Sequence, residues 1–370
     1  MREKHMIYKK TGVVFLLFSL MALRLFSQEF TDNRRVTKSY KINASTTIEV
    51  DNKYGKVQVM KWEHDSVLFD VRVKIVSENS DEGKNLLKNI NIDFTATSFY
   101  ISANTKVGKA RKGLLSDLKL LAESIISSES QVQIDYTVKI PSYANLKIIN
   151  KYGDVYIDDI KGNFDLKLSN GDLRANRITG NCDMELKFCG NANINHLTLG
   201  RINASYSELH VKYANQISLS SKSSKLNLEE ANIVKLQSRS DKVFINKTAH
   251  LYGDTYFTDV SIAKIMKEVS LNMKYGILNL ESILCSFAFI NLYSKFTDIN
   301  LFFQNSSAYH LDITHKQNTL NYPSEIANLE TKVIDKEEDK MLTTGKIGSK
   351  NTNSKVKIDA EKSVINIFHK

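Results

Sequence analysis

Only three cysteines occur in 370 residues, at positions 182, 189 and 285. Three cannot all pair and no CxxC spacing joins them, so neither a disulfide framework nor a zinc site is expected. Two prolines argue against collagen-like or proline-rich disordered segments. Beyond residue 27 no apolar run is long enough to cross a bilayer, so no transmembrane segment is expected once the leader is removed. The GxSxG, P-loop, HExxH and dinucleotide fingerprints are all missing, and no cofactor is expected. Eight histidines are scattered, and His196 and His210 fall at non-equivalent positions, which suits surface residues better than metal ligands. Charge of one sign is also in short supply. Removing residues 1–27 takes away five basic and one acidic residue, leaving 46 basic against 40 acidic, or +6. That excess is too small for a nucleic-acid-binding chain.

What the chain has is a repeat. From Leu146 to Tyr322 an apolar residue opens a short alternating segment, a polar corner follows, and seven residues later a second alternating segment begins. The paired positions are Ile148 and Val155, Leu166 and Leu173, Ile202 and Leu209, Leu219 and Leu226, Leu236 and Val243, Leu271 and Leu278, Leu292 and Ile299, and Ile313 and Leu320. Met184 to Ala192 is one residue longer, and Gly253 replaces the apolar residue before Val260. Period-two alternation is the mark of a half-buried strand. A unit of 17 to 21 residues cannot bury such a face alone, so ten units must stack. The expected fold is an all-β, right-handed parallel β-helix or solenoid, the hand following from the usual chirality of parallel crossovers. A β-sandwich of hairpins is the alternative, but it does not explain a constant register. Gly162, Gly180 and Gly200 fall between repeats, where sharp corners favour residues that tolerate positive φ.

The remainder is organised around this block. Residues 1–27 combine a basic start with the apolar run Val13 to Leu23 and read as a secretory signal peptide, an uncleaved anchor being the alternative. Residues 28–145 hold one isolated repeat, with Val50 and Val57 seven apart, and a strand-and-helix capping block in which Ser80 or Asp81 caps a short helix. Within that block Lys106, Lys109, Arg111 and Lys112 precede an amphipathic stretch, read as an excursion packed on the cap or as a membrane-surface helix. The solenoid is assigned to 146–323, a polar loop to 324–354, and a C-terminal coil to 355–370, closing the far end with Ile358 and Ile365 again seven apart.

The stretch SQVQIDYTVKIPSYANLKIINKYGDVYIDDIKGNFDLKLSNGDL resembles the "putative adhesin" family of exported bacterial β-solenoid proteins. Its entry into a ladder of Gly-Asp corners is carried here by Pro141, Leu146, Asn150, Gly153, Asp154, Gly171 and Asp172. The corner glycine is mostly lost between Gly190 and Gly276. The resemblance covers almost all of the mature chain and implies a β-helix at the cell envelope, without known catalysis or cofactor.

Aligning the repeats yields a candidate site. Three residues after each first-segment apolar position stand Lys151, Ser169, Lys187, Ser205, Lys222, Arg239, Tyr256, Lys274, Lys295 and Lys316. Seven of the ten are basic, on outward parity, and stacking would make them a cationic stripe. Either the stripe is simply solvated and protects an edge, or it seats an acidic polysaccharide through many weak contacts. One position later Tyr152, Phe188, Tyr206, Phe257, Tyr275 and Phe296 fall on inward parity, where they are expected to stack in the core, a sugar platform being the alternative. Carboxylates in neighbouring repeats, Asp154 and Asp172, are the basis for the enzyme alternative, a polysaccharide-degrading β-helix; but Asp beside Gly is what a turn itself selects. The expectation is a non-enzymatic envelope protein, periplasmic or at the outer surface, that binds or scaffolds through its long repetitive face, with an acidic polysaccharide or an envelope protein as partner; a structural or signalling envelope component with a protein partner is the alternative. Its oligomeric state is open.

Overall fold

The computed structural model describes residues 29–108 and 130–370. The expected signal peptide, and with it Lys109, Arg111, Lys112 and most of the amphipathic stretch, lies outside the described residues. Those that are described form 23 strands, one α-helix and one 3-10 turn. They divide into two compact units.

The smaller unit comprises 29–36, 71–92, 105–108 and 130–134 of the described residues. Its helix, Ser80–Asn89, is capped by Asn79, one residue earlier than expected. The Asn79 Oδ1 accepts the amides of Asp81 at 2.9 Å and Glu82 at 3.4 Å, satisfying two of the otherwise orphan donors. Asp81 and Glu82 in the first turn and Lys88 in the last complement the helix dipole. Gly83 and Leu86 make the buried face. A Cβ on Gly83 would stand 2.7 Å from the Phe30 ring, so the close approach requires glycine.

The larger unit, 37–70, 93–104 and 135–370, is built on a mostly parallel sheet in which successive repeats pair. Ile148 lies beside Leu166, Leu166 beside Met184, Met184 beside Ile202, and Ile202 beside Leu219. The second segments keep step: Val155, Leu173, Ala192, Leu209, Leu226, Val243 and Val260 are consecutive partners. Each named first-segment residue is buried. Burial of a Leu or Ile side chain contributes roughly 1.5–3 kcal/mol, so each repeat is stabilised chiefly by its neighbours. In the middle of the block the second segment of one repeat runs on into the first of the next, as in Leu173–Lys187, Glu208–Lys222 and Lys225–Arg239. Differences in repeat length are absorbed by register shifts at Ile178/Asn181, Thr248/His250 and Leu280/Ile283.

The isolated early repeat belongs to the same ladder. Thr47–Lys53 pairs with Asn145–Lys151 on one side and with the strand Tyr100–Val107 on the other. The far end differs from expectation in two ways. The C-terminal strands Lys355–Glu361 and Val364–His369 do not close the ladder but are inserted one repeat inside it, between Phe289–Phe303 and the pair Tyr309–Lys316 and Thr319–Asn321. The stretch expected to be a polar loop instead forms an antiparallel hairpin, Ala327–Asp335 with Lys340–Ile347, which pairs with Tyr309–Lys316. Covering an outer strand in this way occupies its unpaired hydrogen-bonding groups. A repeat pattern marks which segments are rungs; it carries no information on the order in which they stack.

Candidate functional site

Backbone pairing brings the expected basic residues into one column. Its order is Lys53, Lys151, Ser169, Lys187, Ser205, Lys222, Arg239, Tyr256, Lys274, Lys295, Glu361 and Lys316. Lys151, Lys187, Lys222, Arg239 and Lys274 are exposed, and Lys295 and Lys316 are half-buried. Like charges one strand spacing apart repel, and the column limits this by interposing Ser169, Ser205 and Tyr256. Basic residues are direct partners only at Lys53–Lys151, Lys222–Arg239 and Lys274–Lys295. Lys295 and Lys316 are not adjacent, as the alignment implied, because the inserted C-terminal rung places Glu361 between them. Glu361 approaches Lys295 Nζ to 2.9 Å, and that hydrogen bond lowers the glutamate pKa and raises the lysine pKa. Glu338 lies 3.3 Å from Lys316, and Glu185 pairs with Lys187. Lys53 was missed by an alignment starting at Leu146, although the tetrapeptide Asn-Lys-Tyr-Gly recurs at 52–55 and 150–153.

The next column overturns the inward reading. Tyr54, Tyr152, Asn170, Phe188, Tyr206, Ser223, Ser240, Phe257, Tyr275, Phe296, Lys362 and Gln317 all have φ between 50° and 65°. Parity counting assumes extended backbone; a left-handed residue breaks the alternation and turns its side chain out of the core. Tyr152, Phe188, Tyr206 and Phe257 are accordingly 48, 57, 50 and 53% exposed. This conformation costs a non-glycine residue roughly 1–2 kcal/mol. It is offset by hydrogen bonds along the ladder: the amide of Tyr54 donates to the Lys151 carbonyl, Tyr152 to Ser169, Phe188 to Ser205 and Phe257 to Lys274, all at 2.9–3.0 Å. The outward rings stack on their neighbours. Tyr54 and Tyr152 lie 5.6 Å apart, Phe188 and Tyr206 5.2 Å, Phe257 and Tyr275 4.6 Å, and Tyr275 and Phe296 5.0 Å, with interplanar angles of 2–16°. Cations lie over several rings, with Lys53 4.5 Å from the Tyr54 centroid and Arg239 5.5 Å from that of Tyr256.

Beside this corner the outward face of the first segments is grooved. One groove of about 640 Å³ includes Lys147, Asp183, Arg201 and Lys235 in its lining. A second shares Arg201 and Lys235, and a third of about 430 Å³ reaches Arg239, Tyr256 and Lys274.

The other residues singled out by sequence have structural partners. Asp154 Oδ1 accepts the Asp172 amide at 2.9 Å, and its other oxygen accepts the Tyr156 hydroxyl at 3.1 Å, as expected of a turn carboxylate. His196 stacks on Tyr213, and His210 meets Glu229 at 3.0 Å. Gly162, Gly180 and Gly200 do not have positive φ. Glycine is needed at 162 and 180 for close approach: a Cβ on Gly180 would fall 2.0 Å from the Gly162 carbonyl oxygen. Cys182 is buried, which pushes its thiol pKa up, and Cys189 is buried as well.

No protein-family model matches the chain, and no curated protein does. Among solved structures it is similar to a "putative cell adhesion protein" from Clostridium sporogenes at 12% identity, covering 92% of this chain and 100% of that one, with a TM-score of 0.18. A "putative lipid binding protein" from Parabacteroides distasonis matches at 12% identity over 70% of this chain and 96% of that one, with a TM-score of 0.35. A "putative adhesin" from the same organism matches at 10% identity over 73% and 98%, with a TM-score of 0.33.

Proposed function

We propose that this chain is an exported, non-enzymatic envelope protein with an adhesin-like role. Its repeats wind into a right-handed parallel β-solenoid, and the basic corner column docks an acidic polysaccharide. The observation that carries this reading is the register of Lys151, Lys187, Lys222, Arg239, Lys274 and their neighbours in a single exposed column. Each exposed cation contributes little alone, since such contacts are worth about 0–1 kcal/mol in water. A polymer that engages several of them gains through effective concentration, and its binding weakens with salt.

The test is to replace Lys187, Lys222, Arg239 and Lys274 with Glu and measure retention on an immobilised acidic glycan across a salt gradient. The expected result is loss of retention at low salt and a flattened salt dependence. Unchanged retention overturns the reading. Fractionation with and without surface proteolysis distinguishes a periplasmic from an outer-surface location.

A further inference from the structure

The left-handed corner column is not continuous in aromatic character. In spatial order it contains the stacks Tyr54–Tyr152, Phe188–Tyr206 and Phe257–Tyr275–Phe296. Between the first two lies Asn170; between the second and third lie Ser223 and Ser240. Stacked rings turn their faces along the ladder, so within a stack each face is covered by its neighbour. At a stack end the outer face has no ring stacked on it from the same column, although the Tyr256 ring of the adjacent column meets Phe257 edge-to-face at 4.5 Å. Tyr206 and Phe257 are three rungs apart, ~14 Å at ~4.8 Å per strand spacing. Two ring layers are therefore missing, and the floor of the gap is made by two small hydroxyl residues.

The charge beside this gap is as distinctive as its walls. Ser223 and Ser240 directly follow Lys222 and Arg239, which are exposed and are register partners. Elsewhere the column carries carboxylates, with Glu185 on Lys187 and Glu361 on Lys295, but among the described residues none forms an ion pair with Lys222 or Arg239. Arg239 lies over the Tyr256 ring, its amide donates to the buried Asp241 carboxylate, and it lines the groove of about 430 Å³ with Ser220, Gln237, Asp254 and Lys274. Two aromatic faces, two hydroxyls and two adjacent cations around one gap match a saturated ring with an apolar C–H face, hydroxyls and a carboxylate.

We propose that the gap between Tyr206 and Phe257, two ring layers deep, is a seat for one uronic acid residue of an acidic glycan, stacked on one of its two walls. The pyranose ring lies parallel to the two walls, and its carboxylate meets Lys222 and Arg239. This deepens the reading of the basic column and rests on it. Because a seated ring must be parallel to the walls, the sugar enters across the corner as a chain end or branch. A short oligomer therefore suffices for binding.

The experiment is calorimetric titration of the mature full-length chain at low salt with trigalacturonate, with inorganic tripolyphosphate as a charge-only probe. In the double variant Ser223→Phe, Ser240→Phe the gap is filled and every cation is kept. Phenylalanine is compatible with this corner, since Phe188 and Phe257 adopt φ of 54° and 51°, close to the 50° and 59° of Ser223 and Ser240. The expected result is at least tenfold weaker trigalacturonate binding with tripolyphosphate binding unchanged. Should the filled variant misfold by thermal melting, Tyr206→Ser with Phe257→Ser removes the walls using a residue native to the column, and the same loss is expected. Undiminished trigalacturonate binding in the folded variant overturns the seat. Equal loss of both probes in that variant also overturns it, by showing that only charge was read. Lys222→Glu with Arg239→Glu separates the two proposals: if it abolishes binding that the filled gap leaves intact, the basic column stands and the seat falls. If it leaves both probes bound, the basic column falls at these rungs.

Discussion

The same corner is built in two ways along the ladder. At its early rungs the residue two after the basic position is glycine: Gly55, Gly153 and Gly171. A Cβ on Gly153 would stand 2.0 Å from the Gly55 carbonyl oxygen, and one on Gly171 would stand 2.1 Å from that of Gly153. Buried Asn150 bridges these corners, its Nδ2 donating to the carbonyls of Gly55 at 3.1 Å and Gly153 at 2.8 Å. Further along, the equivalent residues are Cys189, Ser207, Ser224, Asp241 and Thr258, and side chains supply the hydrogen bonds. Ser207 Oγ accepts the Cys189 amide and donates to the Ser205 carbonyl, and Ser224 Oγ accepts the Ser207 amide. Asp241 is the hub. Its carboxylate accepts the hydroxyls of Ser221 and Ser238 and the amides of Ser224 and Arg239 at 2.6–3.0 Å. Both chemistries present the preceding residue with the same positive φ. The surface column is thus indifferent to how the buried corner is satisfied, which is why the glycine signature can disappear while the ladder continues.

This comparison can be broken from either side. Gly171→Ala puts a methyl group against a backbone carbonyl that no side-chain motion can relieve. It should cost on the order of 3 kcal/mol or more in denaturant unfolding of the purified chain. Full stability would show that the glycine corners are not sterically required. Asp241→Ala should cost about 2–4 kcal/mol in the same assay, because two hydroxyls and two amides lose their acceptor in a buried site. A glycine-type corner has no such hub, so Asn150→Ala should fall below that, at roughly 1–2 kcal/mol.

The smallest effect is expected where the C-terminal rung meets its neighbour. The lowered pKa of Glu361 means that its pairing with Lys295 contributes fully above the ordinary glutamate value, about 4.3, and fades as pH falls through the lowered one. Glu361→Gln should remove that part of the acid dependence of thermal melting and change little at neutral pH. An unchanged acid slope would show that the pair adds nothing.

Much of the ladder was legible in the residues. The seven-residue spacing of Ile202 and Leu209, or Leu219 and Leu226, marks two segments of one rung, and their partners lie where alignment places them. The basic column followed from the same alignment because outward parity holds within an extended segment. The candidate site was legible only in that half. Tyr152, Phe188, Tyr206 and Phe257 were assigned inward because parity was carried one residue too far, across a backbone reversal that leaves no fixed letter in the sequence. The polar composition of 324–354 suggested a loop, but its two hairpin strands cover only one outer rung and have little apolar surface to bury.

Local periodicity is set by the pleat, so the sequence by itself determined which residues of the extended segments point to the core, where each rung breaks, and which side chains share a column. Stacking order depends on contacts between segments far apart in the chain. Only the tertiary structure therefore placed 355–370 between its neighbours and set Glu361 among the lysines. It also decided the outward turn of the corner rings, because left-handed residues such as Tyr152, Phe188 and Phe257 are held by donating their amides to the next rung.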